Sequence, residues 1–204
     1  MSKTSNLSNR GFAAKRLATD GILIAIFFAL TFFSVTIGGV KITFDSLPVV
    51  LCAMLFGPVD AFLVGFLGAF LEQMMHFGFT ATTLLWVISP AMRGLVLGLA
   101  VKAFKKSMDL ETILHQKKPY LYFVCCCVAG VVTSCLNTLV YYIDSTLYGY
   151  YSYALVFGVS GVRILSGIAA SILTAIVALP ILVALRKAKI VPATKKLSLS
   201  DRDA

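Results

Sequence analysis

The stretch FGVSGVRILSGIAASILTAIVALPILVAL, residues 157–185, contains a single charged residue, Arg163, and is followed directly by Arg186 and Lys187. An α-helix needs roughly 20 apolar residues to cross the hydrocarbon core of a bilayer, and this stretch is longer than that. It therefore predicts a membrane-spanning helix that ends in a basic anchor.

Five further apolar segments precede this one, so the chain is predicted to be an all-α membrane protein with six transmembrane helices in one bundle. The predicted segments are residues 17–37, 46–56, 59–75, 84–104, 119–143 and 157–185. The second is too short to cross alone, and we expect it to be inset among its neighbours. Residues 40–44 (VKITF) alternate and predict a short extended piece. Gly57-Pro58 predicts a tight turn, because proline suits the first position of a helix.

The basic residues predict the orientation of the bundle. Of 18 Lys and Arg, four precede the first segment, five lie within residues 102–118 and six follow the last segment. Since basic flanking residues are retained in the cytoplasm, both termini and the 102–118 loop are predicted to be cytoplasmic. Lys41, Arg93 and Arg163 are the exceptions. The chain is thus divided into a lead-in (1–16), a membrane domain (17–187) and a tail (188–204).

Composition supports a multi-pass protein of the plasma membrane, of bacterial type. The 204 residues are 59% hydrophobic and 13% charged, against about 45–50% and about 25% in soluble domains. The net charge of +9 flanks apolar segments, where anionic lipid headgroups attract it, so the predicted partner of this charge is membrane lipid and not nucleic acid. No cleavable signal peptide is expected, because the stretch from Gly21 is longer than a signal core.

The five cysteines are predicted to be packing residues. Cys125, Cys126 and Cys127 are consecutive, and consecutive side chains on a helix point in different directions. They therefore suit neither a disulfide framework nor a tetrahedral zinc site, and no metal is expected.

Polar residues at membrane depth usually face the interior of a bundle, which makes them candidates for a ligand site. Arg93 lies about 13.5 Å along its helix, near mid-membrane, and either binds a ligand or pairs with Glu72 or a helix end. The guanidinium of Arg163 suits a carboxylate or a polarised heterocycle. Trp86 suits either the membrane interface or a flat ligand. The predicted substrate-binding residues are Lys41, Asp45, Glu72, His76, Trp86, Arg93, Asn137, Tyr141 and Arg163.

Most of these residues map to the outer half of the predicted bundle, so together they predict a small-molecule pocket that opens outward. The sequence contains no phosphate-binding loop, no H-E-x-x-H and no G-x-S-x-G. An enzyme acting through Glu72, His76 or the cysteines has no catalytic spacing to support it. A self-sufficient secondary transporter is the alternative function, although repeated halves are not evident.

Three motifs resemble those of a known family. Residues 41–50 (KITFDSLPVV) resemble a loop that leads into a proline-containing second helix, and residues 54–58 (MLFGP) resemble the turn before the third. Ala25-x-x-x-Ala29 resembles an A-x-x-x-A motif, in which small residues let another helix approach closely. Over about residues 10–187 the chain resembles the substrate-binding membrane subunits (S components) of energy-coupling factor (ECF) vitamin transporters. Within that family its sequence most resembles the folate branch.

This resemblance implies a mechanism. The chain would bind a vitamin or precursor from outside and dock through Ala25 and Ala29 on a transmembrane coupling subunit. Two cytoplasmic ATPases would use ATP, no cofactor would reside in this chain, and the chain would topple to deliver its ligand. The substrate is expected to be folate-like, with pantothenate, pyridoxine or hydroxymethylpyrimidine, and a queuosine precursor as alternatives.

Overall fold

The computed structural model describes residues 3–33, 35–37, 40–104, 108, 110, 113 and 119–187, and it describes no side chains for 3–13, 35–37, 40–42 and 186. These residues form six α-helices, one β-hairpin and a π-helical segment. The elements are α1 Lys3–Thr31, β1 Val35–Ile37, β2 Val40–Ile42, α2 Ser46–Leu55, α3 Pro58–Phe77, α4 Thr83–Ala103, α5 Tyr120–Leu147, the π-helical segment Ala154–Gly158 and α6 Ser160–Lys187. The predicted tail and four of the five lysines of the 102–118 loop lie outside the described residues.

The predicted end of the first segment, residue 37, is wrong, and its predicted start at residue 17 lies inside a longer helix. Helix α1 begins at Lys3, so the lead-in from that residue onward is continuous with it, and α1 ends at Thr31. Residues 35–37 form β1, which pairs antiparallel with β2, so that Val35 lies opposite Ile42. The reason is local: Val, Thr and Ile are β-branched, and two such runs around Gly-Gly have the composition of a hairpin. The extended piece predicted at 40–44 is confirmed in β2.

The two ends of the bundle differ in what they carry. Because successive helices alternate in direction, α1, α3 and α5 finish at the end where α2, α4 and α6 begin. We call this the hairpin end, and it carries β1–β2, the loop 78–82 and the loop 148–153. The opposite end, where α3 and α5 begin, is called the terminal end.

Helix α2 lies inside the bundle, as its short length predicts. It has ten residues and contacts α1, α3, α4 and α6. Seven of the ten are buried, namely Ser46, Pro48, Val49, Val50, Leu51, Cys52 and Ala53. The inset position is therefore confirmed, and α2 forms the centre of the apolar core.

Helices α3 and α4 pack with their backbones in close approach. Gly57 takes a φ of 97° before Pro58 begins α3, which confirms the predicted tight turn. A methyl group at Gly65 would lie 2.6 Å from the carbonyl oxygen of Pro90, and one at Gly94 would overlap the carbonyl oxygen of Ala61. Only glycine permits this spacing, so these two positions fix where α4 stands relative to α3.

Among the described helices, α3, α4, α5 and the stretch Ala154–Leu185 are long and apolar enough to span a bilayer, and α2 is a shorter apolar helix. Helix α1 carries Lys15, Arg16 and Asp20 near its middle and is not among the four. Six crossings and cytoplasmic termini therefore stay predictions.

Candidate ligand-binding site

A cavity of about 300 Å³ lies between α2, α4, α5 and α6. It brings together six of the nine residues predicted to bind substrate: Asp45, Trp86, Arg93, Asn137, Tyr141 and Arg163. The remaining lining residues are Phe27, Thr43, Ser46, Val49, Pro90, Thr133, Ser134, Ser166, Gly167 and Ala170. The cavity therefore combines two cations, one carboxylate, an amide and several hydroxyl groups with three aromatic side chains.

The long helices α4, α5 and α6 each supply lining residues from one face. On α4, Trp86 and Arg93 are seven positions apart, which is two helical turns. On α5, Thr133, Asn137 and Tyr141 follow one another at intervals of four positions, so their side chains stand above one another. The rotation of each helix about its axis therefore decides which residues meet in the cavity.

Arg93 is held by α5. Its Nε donates a hydrogen bond to Oγ1 of Thr133 at 3.1 Å, and that hydroxyl in turn donates to the carbonyl oxygen of Ala129 at 2.8 Å. This hydrogen bond uses only one of the five N–H groups of the guanidinium. Among the described residues no hydrogen bond is made by the terminal nitrogens of Arg93, so they can serve a ligand.

Arg163 is held by an aromatic ring. Its Cζ lies 4.4 Å from the ring centroid of Tyr141, a cation–π contact, and its NH2 donates to the carbonyl oxygen of Leu155 at 3.4 Å. The NH1 group is buried and has no hydrogen-bond partner within the described part of the chain. A buried N–H without an acceptor is costly, which makes this group a site for a ligand acceptor.

Asp45 supplies the negative charge of the cavity. It stands at the N-cap position of α2, yet its carboxylate makes no capping hydrogen bond. The carboxylate can therefore accept hydrogen bonds from a ligand. It lines the same cavity as Arg93, to which it is attracted electrostatically. With two arginines and one aspartate, the charged lining residues sum to one positive charge.

Asp144 lies beside the cavity, and the sequence prediction missed it. Its carboxylate accepts hydrogen bonds from Thr82, Trp86 and Tyr150. The fifth predicted segment ends at residue 143, which puts Asp144 in a loop, whereas α5 continues to Leu147. Its position seven residues after Asn137, on the helical face that carries that residue, is the signal that identifies it.

Two predicted binding residues, Glu72 and His76, lie apart from the cavity lining. Glu72 and His76 belong to the last turns of α3, which packs on α1, α2 and α4, and no described residue of α3 lines the cavity. His76 is exposed, with Nδ1 3.1 Å from the backbone oxygen of Glu72. Lys41 lies in β2 opposite Thr36, and its side chain is outside the description.

The thiols and the metal-binding side chains show no cluster in the described part of the chain. All five cysteines are free, and Cys125 and Cys126 are buried. No group of three or more His, Cys, Asp or Glu residues that could hold a metal ion occurs among the described residues.

Helix α1 presents a face of exposed small and apolar residues. Ala25 and Ala29 are both exposed, one turn apart. Ile22, which is 60% exposed, precedes them on the helix, and Phe33, which is 72% exposed, lies just beyond the end of the helix. The opposite side of α1, with Leu23 and Phe27, is buried in the core. In the membrane this face meets either lipid or another helix.

The amino-acid sequence of the chain is similar to those of known proteins. A family model described as "ECF-type riboflavin transporter, S component" matches residues 11–187. A UPF0397 protein of Leuconostoc citreum is 37% identical over 106 residues, which are 50% of this chain and 53% of that protein. A UPF0397 protein of Lactobacillus johnsonii is 31% identical over 121 residues, which are 57% of this chain and 61% of that protein. The chain thus matches little more than half the length of these curated relatives.

A solved structure shares the fold. The S component of a bacterial ECF transporter superposes with a TM-score of 0.54 at 22% identity, over 87% of this chain and 96% of that chain. The likeness concerns the arrangement of the helices.

Proposed function

Because the chain belongs to the family of ECF-type riboflavin transporter S components, we propose that it captures a vitamin for an ECF-type importer. Membership confirms the resemblance predicted from the sequence at the level of the family. The family consists of transporter subunits and not of enzymes, and the chain is a multi-pass protein of the plasma membrane with bacterial relatives. The folate branch is not confirmed.

The observation that carries the proposal is the environment of Arg163. Its guanidinium stacks on Tyr141 in the cavity wall, while its buried NH1 lacks an acceptor among the described residues. Trp86 adds a second aromatic ring to the same wall. A flat ligand with a carbonyl, carboxylate or ring-nitrogen acceptor would stack on the rings and satisfy that N–H.

The remaining polar groups narrow the ligand class further. Asp45 can accept from a ring N–H, and Asn137 can both donate and accept. Riboflavin, for which the matching family is named, has a flat ring system with two carbonyl oxygens, an imide N–H and a hydroxylated side chain. It therefore offers a partner to each of these groups, and we propose it as the first ligand to test.

The size of the cavity favours a compact vitamin. Its volume of about 300 Å³ is at the lower end of the range of about 300–1,000 Å³ for ligand sites. A folate-like vitamin, which the sequence also predicts, must in addition place a glutamate tail. The two arginines could pair with the carboxylates of that tail, and equally with the carboxylate of pantothenate. Folate and pantothenate are therefore the comparison ligands.

Partners follow from the family and from the exposed face of α1. We propose that Ala25 and Ala29 dock on a transmembrane coupling subunit, because small residues one turn apart let a partner helix approach closely. Two cytoplasmic ATPases would supply the energy. Toppling of this chain would then carry the bound ligand to the cytoplasmic side.

The test begins with the purified protein in detergent. Small molecules released on denaturation are identified by mass spectrometry, and riboflavin, folate and pantothenate are then titrated by calorimetry. We expect a flat heterocyclic vitamin to be released and riboflavin to bind. Retention of folate would restore the folate branch, and the absence of any retained or bound vitamin would contradict the proposal.

A second measurement separates the proposal from the alternative of a self-sufficient secondary transporter. Liposomes that contain only this protein should neither accumulate riboflavin under an ion gradient nor hydrolyse ATP. Ion-driven uptake into such liposomes would support the alternative and refute the subunit role.

A further inference from the structure

Asp144 joins three separate parts of the hairpin end. It is 9% exposed and lies in the last turn of α5. Its Oδ1 accepts from the hydroxyl of Thr82, which precedes α4, and from Nε1 of Trp86 on α4 at 3.5 Å, and its Oδ2 accepts from the phenol of Tyr150 in the loop 148–153. A buried carboxylate requires such donors, and hydrogen bonds to a charged acceptor are among the strong ones.

The same contacts continue into the cavity wall through aromatic rings. The ring centroids of Trp86 and Tyr141 are 6.0 Å apart, and those of Tyr141 and Tyr150 are 6.3 Å apart, both in edge-to-face arrangement. Arg163 then lies over the ring of Tyr141. Trp86, Tyr141 and Arg163 line the cavity, whereas Asp144 and Tyr150 do not.

The phenol of Tyr150 keeps its proton and so remains a hydrogen-bond donor to Asp144. Partial burial, followed by the hydrogen bond to Asp144, raises the pKa of Tyr150 above its ordinary value. The phenol therefore stays protonated across the physiological range, and the loop stays tied to the end of α5.

From this geometry we infer that Asp144 is a positioning residue for ligand capture: it holds Trp86 directly, and Tyr141 through Tyr150, in the orientations that the cavity offers to a ligand. This inference rests on the proposed function, in which the cavity binds the vitamin. Loss of the carboxylate releases the loop and one wall of the cavity together, so a bound ligand leaves faster.

The experiment uses a property of the sequence: Trp86 is the only tryptophan in the chain. Its fluorescence therefore reports on the network without any added label. In the ligand-free protein, Asp144→Asn and Tyr150→Phe should shift the Trp86 emission and increase its quenching by acrylamide. Tyr151→Phe is the matched control, because Tyr151 is in the same loop with nearly the same exposure (45% against 43% for Tyr150) but contacts Tyr142.

Riboflavin binding supplies the second readout. Stopped-flow measurements with Asp144→Asn should show dissociation about tenfold faster than in the unsubstituted protein, with a smaller increase for Tyr150→Phe and none for Tyr151→Phe. In the double variant, the increase in dissociation rate should be smaller than the product of the two single increases, since both substitutions remove the same hydrogen bond between Tyr150 and Asp144. Tyr150→Phe keeps the test decisive if Asp144→Asn does not fold.

The outcomes separate the two proposals. If the unsubstituted protein does not bind riboflavin, the proposed ligand is wrong, and the quenching data alone decide whether Asp144 positions Trp86. Unchanged quenching in Asp144→Asn and Tyr150→Phe would overturn the inference. So would altered quenching together with riboflavin dissociation at the unsubstituted rate, because the network would then have no effect on capture.

Discussion

The guanidinium of Arg16 on α1 forms a two-pronged ion pair with the carboxylate of Asp60 in the first turn of α3. Nε donates to Oδ2 and NH2 donates to Oδ1, the latter at 2.6 Å. The Asp60 side chain is 7% exposed and that of Arg16 is 40% exposed. The Cζ atom of Arg16 also lies 6.0 Å from the ring centroid of Phe56, in a cation–π contact. This pair ties α1 to α3 at the terminal end.

Removing Arg16 should destabilise the protein. The substitution Arg16→Met leaves the buried carboxylate of Asp60 without its cationic partner, which should lower the free energy of unfolding by about 1–3 kcal/mol. The measurement is thermal unfolding in detergent. Lys15→Met is the matched control, since Lys15 is an exposed neighbour on the same helix, and it should unfold like the unsubstituted protein.

The partner substitution tests the assignment to this pair. Adding Asp60→Asn to Arg16→Met removes the unpaired charge and should restore part of the lost stability. Equal unfolding temperatures for Arg16→Met and Lys15→Met would contradict the stabilising role of the pair.

Substitution of Gly94 should disturb the contact between α3 and α4. The methyl group of Gly94→Ala would overlap the carbonyl oxygen of Ala61, and overpacking of this kind costs about 1–3 kcal/mol. Gly161→Ala is the control on α6, because a methyl group there has no neighbouring atom within 4 Å. It should stabilise by up to about 1 kcal/mol, since alanine favours the helix over glycine. A thermal shift in the same direction for both variants would refute this account of the α3–α4 contact.

Replacement of Arg163 by lysine should weaken ligand binding at constant charge. Lysine lacks the planar fork that stacks on Tyr141 and presents NH1, so we expect the dissociation constant to rise about tenfold or more. Calorimetry with the vitamin identified by mass spectrometry is the measurement. His76→Ala, at an exposed position away from the cavity lining, should bind normally. Weakened binding in His76→Ala would restore the binding role that the sequence predicts for that residue.

Bulky residues on the exposed face of α1 should separate uptake from binding. Ala25→Trp combined with Ala29→Trp should abolish vitamin uptake in cells that contain the coupling subunit and the ATPases, while the purified variant binds the vitamin normally. Both alanines are exposed in this chain, so the new side chains fit until a partner helix approaches. Ala169→Trp on the exposed side of α6 is the control and should preserve uptake. Full uptake by the double variant would show that the docking assignment is wrong.

The membrane class and most helices could be predicted from the sequence because they depend on local properties. The length of an apolar run decides whether a helix can span the bilayer, and the predicted segments 46–56, 59–75, 84–104 and 119–143 differ from α2, α3, α4 and α5 by no more than a few residues at each end. The hairpin was also within reach, since β-branched residues surround Gly38-Gly39.

Only the tertiary structure decided which polar residues share the cavity. Arg93, Asn137 and Arg163 meet there because α4, α5 and α6 turn those faces toward one another, whereas α3 places Glu72 outside the lining. Asp144 became visible beside the cavity wall because the start of α4 and the loop 148–153 both donate hydrogen bonds to its carboxylate. Apolar length is written in consecutive residues, but the rotation of each helix about its axis is set by packing contacts such as Gly94 on Ala61, which join residues far apart in the chain.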